Sequence, residues 1–348
     1  MAADLIRRGE TVAVPTETVY GLAADATNED AIGRIYQAKG RPSYNPLIVH
    51  VGRQARDVAS LVALDLVDQA ALTAASIRVA DLLIEAFWPG PLTIILPRGK
   101  ALPARVAGGL ATVGFRMPDH SGFLDLIDAG GRPLAAPSAN RSNRISPTSA
   151  EHVIAELNGR IPLILDGGAA RVGVESTIVA IDCDGALRLL RPGGTPGERI
   201  AEVAGSPLLH ASSKPNSTAE APEAPGMLRE HYAPAKPLLL IRPEECRNAM
   251  VRLQDLGPVE RIAVISFGSL PRDPLEWHLD KNMTLIDFTL LASSDTAAAN
   301  QLFQTLRRLD EGDAQVILAE YPRQAESGLW PAIHDRLTRA SARWSKPN

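Results

Sequence analysis

The chain has 348 residues, 45% of them hydrophobic and only 4% aromatic, which gives room for roughly two domains whose cores are built from Leu, Ile, Val and Ala. A net charge of −4 excludes a global basic field, so no stable nucleic-acid binding is expected, and two cysteines without CxxC spacing, Cys183 and Cys246, exclude a disulfide framework or a cysteine-rich zinc site. No apolar run approaches the roughly 20 residues of a membrane span, and Met1 to Glu10 lacks a signal-peptide stretch, so no membrane association and a cytoplasmic location are expected.

In chain order, Ala2 to Arg8 reads as a helix stopped by Gly9, followed by a strand from Thr11 to Val14. Pro15 lacks the N–H to continue central pairing, so the chain turns out, and Pro15-Thr16-Glu17-Thr18-Val19-Tyr20-Gly21-Leu22 crowds hydroxyls, a carboxylate and a glycine at a strand exit. In open α/β sheets ligands bind at such ends. Thr27 with Asp30 resembles a capping box for a helix carrying Ala31, Ile32, Ile35 and Tyr36, which Lys39-Gly40-Arg41-Pro42 breaks. Leu47 to Val51 is a strand. A long helical region from about Leu61 ends at Trp88-Pro89-Gly90-Pro91 before a strand from Leu92 to Leu96.

Thr112 to Arg116 reads as a strand with Val113 and Phe115 on one face and Thr112, Gly114 and Arg116 on the other. A helix from Ser121 to Ala129, a strand from Leu134 to Ala136, the turn Pro137-Ser138-Ala139-Asn140 and a helix ending near Leu157 follow. Strands at Ile161 to Leu165, Ser176 to Ile181 and Leu187 to Leu190 complete this part. From Ser206 to about Pro237 the composition shifts to Pro, Ser, Ala, Glu and Thr, with Ser212-Ser213-Lys214-Pro215-Asn216-Ser217 as the clearest linker text. Strands at 238–241, 261–266, 284–288 and 315–319 then alternate with helices near 244–256, 296–309 and 329–342, a βα pattern.

The P-loop, GxGxxG, HExxH and GxSxG signatures are absent, so a standard NTPase, dehydrogenase, zinc protease or α/β-hydrolase is not supported. What remains is a set of polar groups at strand exits: Thr16, Thr18, Lys39, Arg41, Asn45, His50, Thr112, Arg116, Ser138, Asn140, Glu175, Ser176, Thr177 and Arg191. Each has a bland reading, as a turn cap or a solvated helix end, but cations and hydroxyls without a partner carboxylate cluster point jointly to an anionic ligand. Arg116 is the hardest to dismiss. A guanidinium on a strand flanked by apolar residues needs a carboxylate or phosphate.

The segment Pro15 to Leu22, Lys39-Gly40-Arg41-Pro42 with Asn45-Pro46-Leu47, Trp88 to Thr93, Phe115-Arg116-Met117-Pro118, Ala136 to Asn140, Ser146-Pro147-Thr148, Ser176 to Val179 and Leu190 to Gly193 together resemble the YrdC-like threonylcarbamoyl-AMP synthase family. Pro225-Gly226-Met227 and His231-Tyr232-Ala233-Pro234 look like its long, two-domain form. The resemblance implies an α/β fold: a YrdC-like catalytic domain over 1–197 with a twisted open mixed sheet, a linker and candidate active-site lid over 198–235, and a smaller Rossmann-like α/β domain over 236–345. It implies a nucleotidyltransferase that joins L-threonine, bicarbonate and ATP into threonylcarbamoyl-adenylate, for threonylcarbamoyladenosine modification of tRNA next to the anticodon by a downstream tRNA threonylcarbamoyl transferase.

By the same resemblance, Thr18, His50, Arg116, the backbone at Ala136 and Ser176 bind threonine. Arg41, Asn45, Thr112, Ser138, Asn140, Ser146, Arg191 and Tyr232 bind ATP, and Lys39 and Arg41 are catalytic. Mg²⁺ is expected on the phosphates, with no organic cofactor and no metal held by a protein cage. Ala23 and Asn143 stand where glycine is frequent in the family, and the short lead before the first strand implies a first helix incomplete at its start. An RNA-binding module without turnover is the alternative, disfavoured by the acidic net charge.

Overall fold

The computed structural model describes residues 1–210, 222–228, 230–248, 253, 256–277, 279, 281–322 and 327–344. The chain forms two units: Met1–Ser142 with Ser146–Leu228, and Asn143–Ile145 with Arg229–Asn348.

The first unit is built on a nine-stranded mixed sheet in the order β1-β2-β6-β3-β5-β4-β7-β8-β9. Its strands are β1 (Val12–Val14), β2 (Gly21–Asp25), β3 (Ile48–His50), β4 (Leu92–Pro97), β5 (Thr112–Arg116), β6 (Leu134–Ala135), β7 (Thr177–Ile181), β8 (Leu187–Arg191) and β9 (Leu208–His210). Its helices are α1 (Ala2–Arg7), α2 (Glu29–Lys39), α3 (Val58–Ala63), α4 (Ala74–Phe87), α5 (Ser121–Gly130), α6 (Ala150–Leu157) and α7 (Gly197–Ala204). Alternation along the strands separates two faces. Val49, Val113, Phe115, Ile94 and Val179 point into the main core, which α2, α3, α4, α6 and α7 close with residues such as Ile32, Leu61, Leu83, Val153 and Ile200. Each such side chain, fully buried, contributes about 1.5–3 kcal/mol.

The opposite face carries His50 beside Arg116 and Ile48 beside Gly114, by the parallel register of β3 and β5. At one side of it, α1 and α5 bury Ile6, Phe123 and Ile127 against Val12, Val14 and Leu134. Over its middle strands lies a smaller apolar floor of Ile48, Ile95, Ile178, Ala180 and Leu190, covered by Ala224 and Met227.

Several local expectations are corrected. Asn28, not Thr27, caps α2: its Oδ1 accepts from the N–H groups of Asp30 (3.0 Å) and Ala31 (3.1 Å). Thr27 instead donates its hydroxyl to Asp25 at 2.7 Å. The helical region before Trp88 is two helices, because Asp57 with Ser60 and Thr73 with Ser76 form separate capping boxes. Residues 161–165 make one bridge, Ala13 to Ile164, rather than a strand, since Pro162 supplies no N–H to a ladder. The strand β2 was not expected, being Gly- and Ala-rich without a β-branched residue.

The span 198–235 is not linker from its start. α7 buries Ile200 in the main core and β9 pairs in parallel with β8. The segment Ser212 to Ser217 lies outside the described residues.

The second unit holds a four-stranded parallel sheet, β10-β13-β11-β12, from β10 (Leu238–Ile241), β11 (Arg261–Ser266), β12 (Thr284–Leu290) and β13 (Val316–Glu320). With α8 (Asp295–Glu311) and α9 (Trp330–Ser341) it forms the smaller α/β domain. The stretch expected as a helix near 244–256 opens with a 3-10 turn at Pro243–Asn248, and most of the remainder lies outside the described residues. Asn143–Ile145 is part of this unit: Ala233 donates its N–H to the Asn143 carbonyl at 2.9 Å, and Arg307 donates to the Ile145 carbonyl.

Candidate active site

Thr16 shapes the exit from β1. Its hydroxyl donates to the Val19 carbonyl (2.7 Å) and accepts from the N–H groups of Thr18 (3.0 Å) and Val19 (3.2 Å), closing a tight turn. The Thr18 hydroxyl oxygen lies 2.8 Å from Thr16 Oγ1, so the two side chains share this turn. The chain then runs beside the Ser138 turn: Leu22 donates to the Pro137 carbonyl (2.7 Å), Ala139 to the Tyr20 carbonyl (2.8 Å), and Gly21 bridges Ser138. Tyr20 braces the far side, its hydroxyl donating to the Gly168 carbonyl at 2.8 Å.

Lys39 locks the Ser138 turn from below. Its Nζ donates to the carbonyls of Ser138 and Asn140, each at 2.5 Å, while Ser138 donates its hydroxyl to Asn140 Oδ1 at 2.6 Å. Burial first, then the neighbouring Arg41, hold the Lys39 ammonium well below the usual lysine range. Arg41 ties down the next loop, with Nη2 donating to Asn45 Oδ1 (2.6 Å) and to the Pro46 carbonyl (2.8 Å). These contacts fix the guanidinium against the Asn45 loop. An open cavity of about 640 Å³ borders Arg41 together with Arg34, Tyr36 and Arg105, but touches none of the other expected site residues.

His50 and Arg116 stand side by side on β3 and β5. Burial and, after it, the Arg116 charge push the His50 imidazole down to about 3, so it is neutral at any working pH. Arg116 departs from the expectation of cations without a protein carboxylate: its Nη2 lies 2.6 Å from Glu17 Oε1, both side chains almost fully buried. The contact is a close ion pair, yet its geometry falls outside that of a hydrogen bond, and Oε1, Oε2 and Nη2 have no hydrogen-bond partner among the described residues. Nε of Arg116 donates to the Gly90 carbonyl at 3.1 Å.

Ser176 enters just before β7. Its hydroxyl is 2.8 Å from Thr93 Oγ1 and accepts from Arg191 Nη2 at 3.1 Å. Arg191 also grips the Ser176 carbonyl (2.9 Å) and, through Nη1, the Pro225 carbonyl (3.1 Å). Nearby, Ser146 donates its hydroxyl to Glu175, a second carboxylate that composition gave no role. The N–H of Ala136 is taken by the Ile48 carbonyl at 3.0 Å, so any ligand contact by that backbone falls to its carbonyl. Thr112 begins β5, four residues and so about 13 Å from Arg116 along the strand.

The first unit carries Thr18, Arg41, Asn45, His50, Arg116, Ala136, Ser138, Asn140, Ser146, Ser176 and Arg191 on strands and loops of one sheet, with Lys39 at the end of α2 and Thr112 at the far end of β5 from Arg116. Tyr232 is placed in the second unit, its ring 5.7 Å from that of Phe303 and 4.9 Å from the Arg336 guanidinium carbon. The residue that the sequence reading left without a role, Glu17, is the one paired with Arg116. Its position between two threonines at a strand exit was the available signal.

Comparison with known proteins gives this arrangement its class. Residues 4–193 match the Sua5/YciO/YrdC family model, described as telomere recombination, and residues 196–342 match the model described as threonylcarbamoyl-AMP synthase, C-terminal domain. The fold is thus a YrdC-type domain joined to a smaller α/β domain. Threonylcarbamoyl-AMP synthases of Pyrococcus abyssi and Bacillus subtilis are 38% and 41% identical, over 98% of this chain in both cases and 93% and 92% of theirs. The crystal structure of Pyrococcus abyssi Sua5 complexed with L-threonine superposes with a TM-score of 0.81 at 37% identity, covering 98% of this chain and 93% of that one. The chain belongs to the threonylcarbamoyl-AMP synthase family, in its long two-domain form.

Proposed function

We propose that the chain joins L-threonine, bicarbonate and ATP into L-threonylcarbamoyladenylate, releasing pyrophosphate and water, and so acts as a nucleotidyltransferase that supplies the adenylate to a tRNA threonylcarbamoyl transferase. The observation that carries this reading is the clustering of Thr18, His50, Arg116 and Ser176 on one sheet with Arg41, Asn45 and the Ser138 turn, in a chain that is 37% identical to a protein crystallised with L-threonine.

In this reading the threonine amine, having lost its ammonium proton, bonds to the bicarbonate carbon while the C–OH bond breaks and hydroxide leaves with a nitrogen proton as water; an oxygen of the resulting carbamate then attacks the α-phosphorus, whose bond to the bridging oxygen breaks as pyrophosphate leaves. Two anions must meet. Arg41 and Arg191 supply positive charge held in place before substrate arrives, which lowers the barrier without reorganisation. Lys39 keeps the Ser138 turn in shape through its bonds to the Ser138 and Asn140 carbonyls. Arg116 receives the amino-acid carboxylate, and neutral His50 offers a hydrogen bond without adding charge. Mg²⁺ would be carried on the ATP phosphates and offset their charge, since the residues read as facing them, Arg41, Asn45, Ser138 and Arg191, offer guanidinium, amide and hydroxyl groups rather than a carboxylate cage. We read the segment carrying Ala224 and Met227, which packs on the apolar floor of Ile48, Ile95 and Ile178, as the part of the connection that covers bound nucleotide.

The test is isotopic. Incubation with ATP, L-threonine and ¹³C-bicarbonate should yield an adenylate one mass unit heavier than with ordinary bicarbonate, and a product without the label removes the carbamoylation step.

A further inference from the structure

Glu17 is buried in the site with no role in the chemistry above. Its side chain is 1% exposed and that of Arg116 is 4% exposed. Its backbone is fixed on both sides, by the Val172 N–H donating to its carbonyl at 2.7 Å and by the Thr16 turn. A carboxylate buried only to balance an arginine normally takes the two parallel N–H···O bonds that the guanidinium fork offers. This one does not: a single close approach at 2.6 Å leaves both Glu17 oxygens and Arg116 Nη2 without hydrogen bonds among the described residues. Nδ1 of His50, the neighbour of Arg116 in register, is likewise without one. Two buried charges of opposite sign thus lie in contact without filling each other's hydrogen-bonding positions.

We propose that Glu17 receives the ammonium group of the amino-acid substrate, so that Glu17 and Arg116 together read a zwitterion. The inference rests on the function proposed above. A zwitterionic α-amino acid carries a carboxylate acceptor and an ammonium with three donors on one carbon, and so satisfies both halves of the pair at once. Glu17 repels bicarbonate and the phosphates of ATP, so the pair favours the zwitterion over the other two substrates.

Calorimetric titration of the full-length chain with L-threonine and with (R)-3-hydroxybutanoate, the same molecule without its amine, tests this. The wild-type chain should bind L-threonine at least 30-fold more tightly than 3-hydroxybutanoate. Glu17→Gln keeps the size of the side chain and an acceptor for Arg116; it should lose most of that preference, weakening L-threonine by about 10- to 100-fold and 3-hydroxybutanoate by less than threefold. Equal weakening of both ligands would show that Glu17 only holds Arg116 and would overturn the proposal. Equal affinity of the two ligands for the wild-type chain would overturn it even where the variant does not fold, and a wild-type chain that binds neither overturns the functional reading itself.

Discussion

Arg116 and Glu17 make each other's burial tolerable, so changing one member reaches both stability and recognition. Arg116→Ala leaves a buried, uncompensated carboxylate, and a loss of about 3–5 kcal/mol in denaturant unfolding is expected together with a steep rise in the threonine requirement. Replacing both residues with apolar ones of similar volume should restore much of the stability and none of the threonine binding. A double variant that still binds threonine would remove the pair from the pocket. His50 gives a second expectation at this scale. Its folded value of about 3 lies below the ordinary value of 6.5, so between these the unfolded chain binds the extra proton. The stabilising effect is complete above about pH 6.5 and is lost as pH falls, by about 2 kcal/mol at pH 5. The melting temperature of the wild-type chain should therefore fall more steeply from pH 7 to pH 5 than that of His50→Asn, and parallel curves would contradict a buried neutral imidazole.

At the scale of elements, the site depends on close backbone approaches that side chains would block. A Cβ on Gly193 would stand 2.3 Å from the Glu175 carbonyl oxygen and the Ser176 carbonyl carbon, both main-chain atoms that no rotamer change can clear. Gly193→Ala should displace the Ser176 turn, lower the melting temperature by several degrees and raise the KM for threonine at least tenfold, while a variant with unchanged KM would detach this turn from the substrate. The face pattern of β5 was legible before any coordinates, because period two put Val113 and Phe115 into the core and Thr112, Gly114 and Arg116 on the site face. The signatures of Lys39 with Arg41 and of Ser138 with Asn140 were legible too. Their interlock, Nζ of Lys39 on the two carbonyls of that turn, was not, since backbone acceptors leave no trace in side-chain identity. β2 and the α7 and β9 extension escaped for a related reason: short Gly- and Ala-rich or half-polar segments become strand or helix only by docking on a sheet already formed.

For the molecule as a whole, the net charge of −4 leaves no global positive field. The molecule should accordingly show no salt-dependent RNA affinity at physiological ionic strength in a filter-binding or anisotropy assay, and tight RNA binding without turnover would favour a binding module instead. The proposed reaction brings an amino acid and a nucleotide together on one sheet and runs through a carbamate. Pyrophosphate release from ATP tests it most directly. Release should occur only when L-threonine and bicarbonate are both present, with omission of either returning the rate to background; release that continues without one of them would rule out reaction through a carbamate.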